Sequence, residues 1–82
     1  MNEVKIFLFA SLRDRVGARS IEIELPAEAT VGDLKDKLIT DHPALAYMRT
    51  SIMAAINREF AGDEQQIPFH AEVALFPPVS GG

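Results

Sequence analysis

No cysteine occurs in this chain, so it has neither a disulfide staple nor a thiolate metal site, and an apolar core must hold it together. Histidine appears twice and tyrosine once, which leaves few candidates for a nucleophile, a general base or a metal ligand. Long apolar runs are missing too. The run from Ile6 to Ala10 is too short for a signal-peptide core or a membrane span, and Met1-Asn2-Glu3 supplies no cationic region ahead of it. Cytoplasmic residence is therefore the expectation, and the lack of cysteine agrees with it. Basic residues are outnumbered, eight against twelve acidic, for a net charge of -4. That sign is wrong for neutralising nucleic-acid phosphates or an anionic membrane, and it favours a basic partner. With 82 residues the chain forms one domain at most, burying only about 60 to 65% of its unfolded surface.

What is present is strand-like alternation around one helical stretch. Residues 4–9 (VKIFLF) read as a strand with Val4, Ile6 and Leu8 on one face and Lys5, Phe7 and Phe9 on the other. Residues 11–16 suit a short helical turn ended by a left-handed Gly17. Residues 20–25 (SIEIEL) alternate again, with Ile21, Ile23 and Leu25 inward and Glu22 and Glu24 in water, so the two strands form a hairpin. After Pro26, Thr30 is placed as a helix N-cap with Asp33 three residues on. Val31, Leu34, Leu38 and Ile39 make the apolar stripe of that helix, and Asp33, Lys35, Asp36 and Lys37 take its wet side. His42-Pro43 stops it. Residues 45–48 add one further turn, and residues 52–56 (IMAAI) return to strand character, their small alanines leaving room for the helix.

Residues 57–69 are irregular and polar, with Phe60 and Ile67 as apolar anchors and no strand that the pattern locates. Residues 72–76 (EVALF) form the last strand, and Pro77-Pro78 blocks further ladder bonding. One long helix crossing a mixed sheet, with the last strand parallel beside the first, is the α+β arrangement called the β-grasp. The expected division is a β-grasp domain over residues 1–78 and a flexible tail over residues 79–82.

Few side chains suggest chemistry. His42 at a helix end is accounted for by capping, and His70 by a solvated turn. The two share no metal-ligand spacing. Glu22, Glu24, Asp33 and Asp36 lie on solvated faces, and Asp63-Glu64 in a loop. None has the desolvating pocket that acid-base catalysis needs. The Gly-rich element has no helix after it and cannot cradle a phosphate. Two features remain. Parity puts Phe7, Phe9 and Phe76 on the outer sheet face, where they form a partner surface unless the 57–69 segment, through Phe60, folds over them. The tail Val79-Ser80-Gly81-Gly82 leaves the sheet stiffened by Pro77-Pro78. Two residues without a Cβ can enter a narrow channel, and the uncrowded carboxylate behind them meets the requirements of an activated acyl carrier.

The run from Glu72 to Gly82, EVALFPPVSGG, resembles the signature of the small, sulfur-carrier subunits of molybdopterin synthase, which are ubiquitin-like β-grasp proteins. Phe9-Ala10 with Leu12-Arg13 and Val16-Gly17, Thr30-Val31 before Leu34, and Ala55-Ile56-Asn57 extend the resemblance over essentially the whole chain. One departure is His70-Ala71, where the family commonly has a Gly-Asp turn.

The resemblance implies that the Gly82 carboxylate is adenylated by an E1-like adenylyltransferase that uses ATP, then converted to a thiocarboxylate with sulfur from a donor protein. It further implies that Pro77, Pro78, Val79, Ser80 and Gly81 enter the large subunit. There sulfur passes to cyclic pyranopterin monophosphate to build the molybdopterin dithiolene. Phe9, Phe60 and Phe76 would dock on that subunit in a heterotetramer with two copies of each chain. On this reading the chain is a non-catalytic carrier with no bound cofactor and no metal, and the catalytic side chains belong to the large subunit. A carrier for thiamin thiazole synthesis shares the fold and tail, although Phe76-Pro77-Pro78 favours molybdopterin. A ubiquitin-like modifier conjugated through Gly82 shares the activation step, and an interaction module with an inert tail is the blandest alternative.

Overall fold

The computed structural model describes residues 1–78, so the expected tail residues Val79, Ser80, Gly81 and Gly82 lie outside the described residues. Alternation governs the first element: β1 (Asn2–Leu8) buries Val4, Ile6 and Leu8 and turns Glu3, Lys5 and Phe7 to the other face. It starts two residues earlier than the apolar pattern because Asn2 behaves as a core residue. The Asn2 amide nitrogen donates to the carbonyls of Ile67 at 3.2 Å and Pro68 at 3.5 Å, which removes the penalty for burying it. Helix α1 (Ala10–Val16) buries Leu12 and ends at Gly17, whose φ of 84° lets its N–H reach the Arg13 carbonyl. Strand β2 (Ser20–Leu25) then pairs antiparallel with β1, Val4 opposite Ile23 and Lys5 opposite Glu22.

Helix α2 (Val31–Asp41) opens with a reciprocal capping box. The Thr30 hydroxyl accepts the Asp33 N–H, and the Asp33 carboxylate accepts the Thr30 N–H. The next two orphan donors of the first turn go to the loop at residues 62–66: Val31 N–H to the Gln65 carbonyl at 2.9 Å, and Gly32 N–H to the Asp63 carbonyl at 2.8 Å. Glycine at 32 eases this close approach, because a Cβ there would sit 3.2 Å from the Asp63 carbonyl oxygen and the loop would have to give by a few tenths of an ångström. Val31, Leu34 and Leu38 are fully buried and Ile39 packs at the margin, the stripe expected from the sequence. Each fully buried aliphatic of this kind contributes about 1.5 to 3 kcal/mol. Lys35 departs from expectation. Placed by periodicity on the wet side, it is only 5% exposed.

His42 caps α2, and Pro43 begins a 3₁₀ segment, Pro43–Ser51, longer than the single turn expected and anchored by Leu45 and Met48. Strand β3 (Met53–Ile56) follows, and Asn57 and Arg58 reverse the chain into β4 (Glu59–Ala61), the strand that the pattern did not locate. Both turn residues have positive φ, 50° and 72°, as a two-residue type I′ hairpin requires. Strand β5 (Glu72–Phe76) runs parallel to β1, with Ile6 opposite Val73, and antiparallel to β3, with Ala54 opposite Leu75. The sheet order is β2-β1-β5-β3-β4, with α2 over the core formed by its inner face. This is the ubiquitin-like β-grasp.

Candidate functional site: an aromatic strip beside the end of the last strand

Among the described residues, α2 packs on the inner sheet face and no helix covers the outer one. On it, Phe9 and Phe76 stack with ring centroids 4.8 Å apart and planes at 14°, and Phe60 meets Phe76 edge-on at 6.3 Å and 60°. Such pairs contribute about 0.5 to 1.5 kcal/mol each beyond their burial. Three elements supply the rings: the residue after β1, β4 and the last position of β5. Register explains the meeting, since Ala55 sits opposite Phe60 on one side and Ala74 on the other, and these small residues leave a concavity of about 360 Å³ walled by the three rings. Arg58 and Glu72 complete its lining.

Segment 57–69 does not fold over the strip. Phe60 flanks it and stays 74% exposed, and Phe9 is 43% exposed, so the covering alternative is corrected by the hairpin geometry, which holds Phe60 on β4 beside Phe76. Phe7 shares the face as parity predicts but is half-buried and apart from the stack, with the Lys5 ammonium 5.4 Å from its ring centre. It lines a neighbouring concavity of about 320 Å³ with Phe9, Arg13 and Arg19.

The strip lies where the chain leaves the sheet. The Phe9 N–H donates to the Leu75 carbonyl at 3.3 Å, so Phe76, half-exposed Pro77 and exposed Pro78 depart beside Phe9.

A second polar cluster lies at the first turn of α2. The Lys35 ammonium donates to the Ile52 carbonyl at 2.6 Å and to Asp63 Oδ1 at 2.7 Å. Arg49 spans Asp36 at 2.9 Å, Asp63 Oδ2 at 2.8 Å and the Gly32 carbonyl at 3.3 Å. The hydrogen bond from Lys35, then that from Arg49, holds the Asp63 carboxyl below the usual carboxylate range. Asp63 in turn, followed by Asp36, raises the Arg49 guanidinium further. Here one reading from the sequence is corrected and another extended. Lys35 leaves the solvated face because its ammonium has two acceptors waiting, and Asp63 belongs to a loop as read but anchors that loop to the helix. Periodicity carries no signal for such a pair, since the partners are far apart in sequence.

His42 sits at the helix end as read, and His70 occupies the turn before β5 with a φ of 64°. Among the described residues, no group of three or more acidic or histidine side chains could hold a metal ion. Among the same residues, no helix is long and apolar enough to cross a membrane. What the described surface can do is dock a protein through the aromatic strip and present, at its edge, the chain that continues toward Gly82.

Comparison with known proteins agrees with that picture. The ThiS family model matches residues 6–82. The chain is 37% identical to the molybdopterin synthase sulfur carrier subunit of Dictyostelium discoideum over 84 residues, covering 99% of this chain and 98% of that protein. To the subunit of that name in Homo sapiens it is 34% identical over 83 residues, covering 98% and 94%. In three dimensions it resembles the crystal structure of small archaeal modifier protein 1 of Haloferax volcanii, with a TM-score of 0.84, 32% identity, and 96% of this chain against 100% of that one. Matched nearly end to end in sequence and superimposable in fold, this chain belongs to the ThiS family of ubiquitin-like β-grasp proteins.

Proposed function

We propose that this chain is a sulfur carrier subunit of a molybdopterin synthase, loaded with sulfur on the carboxyl group of Gly82. The observation that carries the reading is the full-length similarity to carrier subunits of that name, through a family match that reaches residue 82. Geometry supports it, because β5 ends against Phe9 at the margin of the aromatic strip.

The chemistry follows from a carboxylate that is unreactive until it gains a leaving group. The Gly82 carboxylate attacks the α-phosphorus of ATP bound by an E1-like adenylyltransferase, and pyrophosphate departs. Sulfide-level sulfur released by a donor protein then attacks the acyl carbon and displaces AMP, so that a carbon–sulfur bond replaces the carbon–oxygen bond to phosphate and a thiocarboxylate remains. Phe9, Phe60 and Phe76 dock on the large subunit, with two copies of each chain in the complex. Pro77, Pro78, Val79, Ser80 and Gly81 carry the sulfur into that subunit's active site, where cyclic pyranopterin monophosphate receives it on the way to the dithiolene. Acid-base and phosphate-binding groups belong to the large subunit. The carrier itself binds no cofactor, ATP being consumed by its activating enzyme, and a cycle that draws on ATP runs in the cytoplasm.

A second reading is favoured by the similarity to small archaeal modifier protein 1: conjugation of Gly82 to lysines of other proteins. Intact mass measurement after incubation with the activating enzyme, ATP and a sulfur donor separates the two. Replacement of one oxygen by sulfur is the expected result. Covalent adducts with other proteins in place of it would support the modifier, and an unchanged mass would overturn both. Deleting Gly82 is expected to abolish sulfur transfer while leaving the melting temperature within error of the full chain, since Leu75 is the last core residue among the described residues.

A further inference from the structure

Charge on the outer sheet face is segregated. Glu22 on β2 stands opposite Lys5 and Glu3 opposite Glu24, so acidic groups dominate the β1–β2 side of the face away from the strip, whereas Glu72 on β5, also opposite Lys5, reaches the concavity among the rings. The aromatic half is bordered by guanidinium groups instead. Arg13 and Arg19 line the concavity past Phe9 and Phe7, and Arg58 lines the one among the three stacked rings. All three arginines are exposed. Glu72 is the one acidic residue lining either concavity among the described residues.

These arginines have little to do inside the fold. Lys35, Lys37 and Arg49 are taken up in internal ion pairs. Among the described residues, Arg13 has only a 3.6 Å contact with its exposed neighbour Asp14, and Arg19 and Arg58 make no side-chain hydrogen bond or ion pair. Arg58 is also held at a φ of 72°, a conformation that glycine adopts without strain and a long side chain does not. The type I′ turn accounts for that φ, so it is the charge without a partner among the described residues, set at the border of the ring concavity, that points to a contact made outside the chain.

We propose that Arg13, Arg19 and Arg58 form a cationic rim that seats carboxylate side chains of the protein docked on the aromatic strip. The identity of that protein as the synthase large subunit rests on the sulfur-carrier reading. The guanidinium fork matches a carboxylate through two parallel hydrogen bonds, and charges at the rim of an apolar contact govern encounter rate and partner choice. The net charge of -4 had favoured a basic partner. At the docking surface the local charge has the opposite sign, so the partner's facing rim is acidic.

The test measures association of the full chain with the purified large subunit by stopped flow at low and high salt, alongside melting temperature. Wild type is compared with Arg13→Glu/Arg19→Glu and with Arg58→Gly. The double reversal is expected to slow association roughly tenfold or more at low salt, with the gap closing as salt is raised. Arg58→Gly is expected to weaken binding several-fold, on the order of one rim contact, without lowering the melting temperature. Binding by both variants indistinguishable from wild type, or a loss that ignores salt and follows a lowered melting temperature, overturns the rim. Failure of the wild-type chain to bind at all overturns the sulfur-carrier reading, and the rim falls with it.

Discussion

Replacing Asp63 by alanine leaves the backbone contacts of its loop in place and removes only the carboxylate that two cations share. Lys35, 5% exposed, would keep a single acceptor, the Ile52 carbonyl at 2.6 Å. Arg49 would lose its 2.8 Å contact but keep Asp36 and the Gly32 carbonyl, so the damage concentrates on the lysine. Removing one member of a fully buried ion pair costs about 3 to 5 kcal/mol. The Asp63 side chain is 46% exposed, so water already screens its half of the pair, and the expected loss falls to about 1.5 to 3 kcal/mol. For a domain of this size that is a drop of roughly 10 °C in melting temperature. A dependence on pH must accompany it. Because Lys35 and Arg49 depress the carboxyl's folded-state pKa, the unfolded chain takes up a proton at a pH where the folded chain still refuses it. The contribution is therefore complete above the unfolded value of about 3.9 and is lost as pH falls through the folded one. Urea unfolding followed by far-ultraviolet circular dichroism should give a gap between wild type and Asp63→Ala that is flat from about pH 5 to pH 8 and narrows on acidification. A gap under about 0.5 kcal/mol at neutral pH, or one unchanged in acid, would refute the clamp.

Two further outcomes are expected. Phe76→Asp places a charge between the rings of Phe9 and Phe60, and affinity for the large subunit measured by calorimetry should fall about a hundredfold or more, while circular dichroism reports a folded chain. Unchanged affinity would remove the strip from the interface. His70→Gly relieves a φ of 64° in the turn before β5 and should raise stability to urea by about 0.5 to 1 kcal/mol. A loss of stability would mean that the imidazole is itself a structural contact.

Legibility in the sequence followed the range of the interaction that decides each feature. Strands β1, β2 and β5 and helix α2 were readable because alternation and the Thr30 capping box are local signals. Strand β4 was not, because a type I′ turn is announced by Asn-Gly or Asp-Gly, and here the second position is Arg58. Nor were the burials of Lys35 and Asn2 readable, since the acceptors lie at Asp63, Ile52 and Ile67, chosen by tertiary packing alone. Parity found Phe9 and Phe76 on one face, but Phe60 was named by the resemblance alone, because parity could not reach it without β4. The motif on which the proposed chemistry rests, Val79-Ser80-Gly81-Gly82, lies outside the described residues, and its reading comes from the sequence alone.

The topology makes docking and delivery one problem. A sheet served by a single long helix has one face that the chain cannot cover, and on that face the register collects Phe9, Ala55, Phe60, Ala74 and Phe76. Apolar surface gathered there gains by burial only against another protein. The same parallel pairing of β1 with β5 that seals the core sets the end of β5 beside Phe9, so Pro77 and Pro78 start from the border of the uncovered face. A protein that docks on the rings is therefore already at the root of the segment leading to Gly82. On the proposed carrier reading, positioning the carboxylate calls for no catalytic side chain on this chain, and the fold keeps its polar network at the first turn of α2 while the aromatic rings and arginines gather on the part of the outer face where β5 ends.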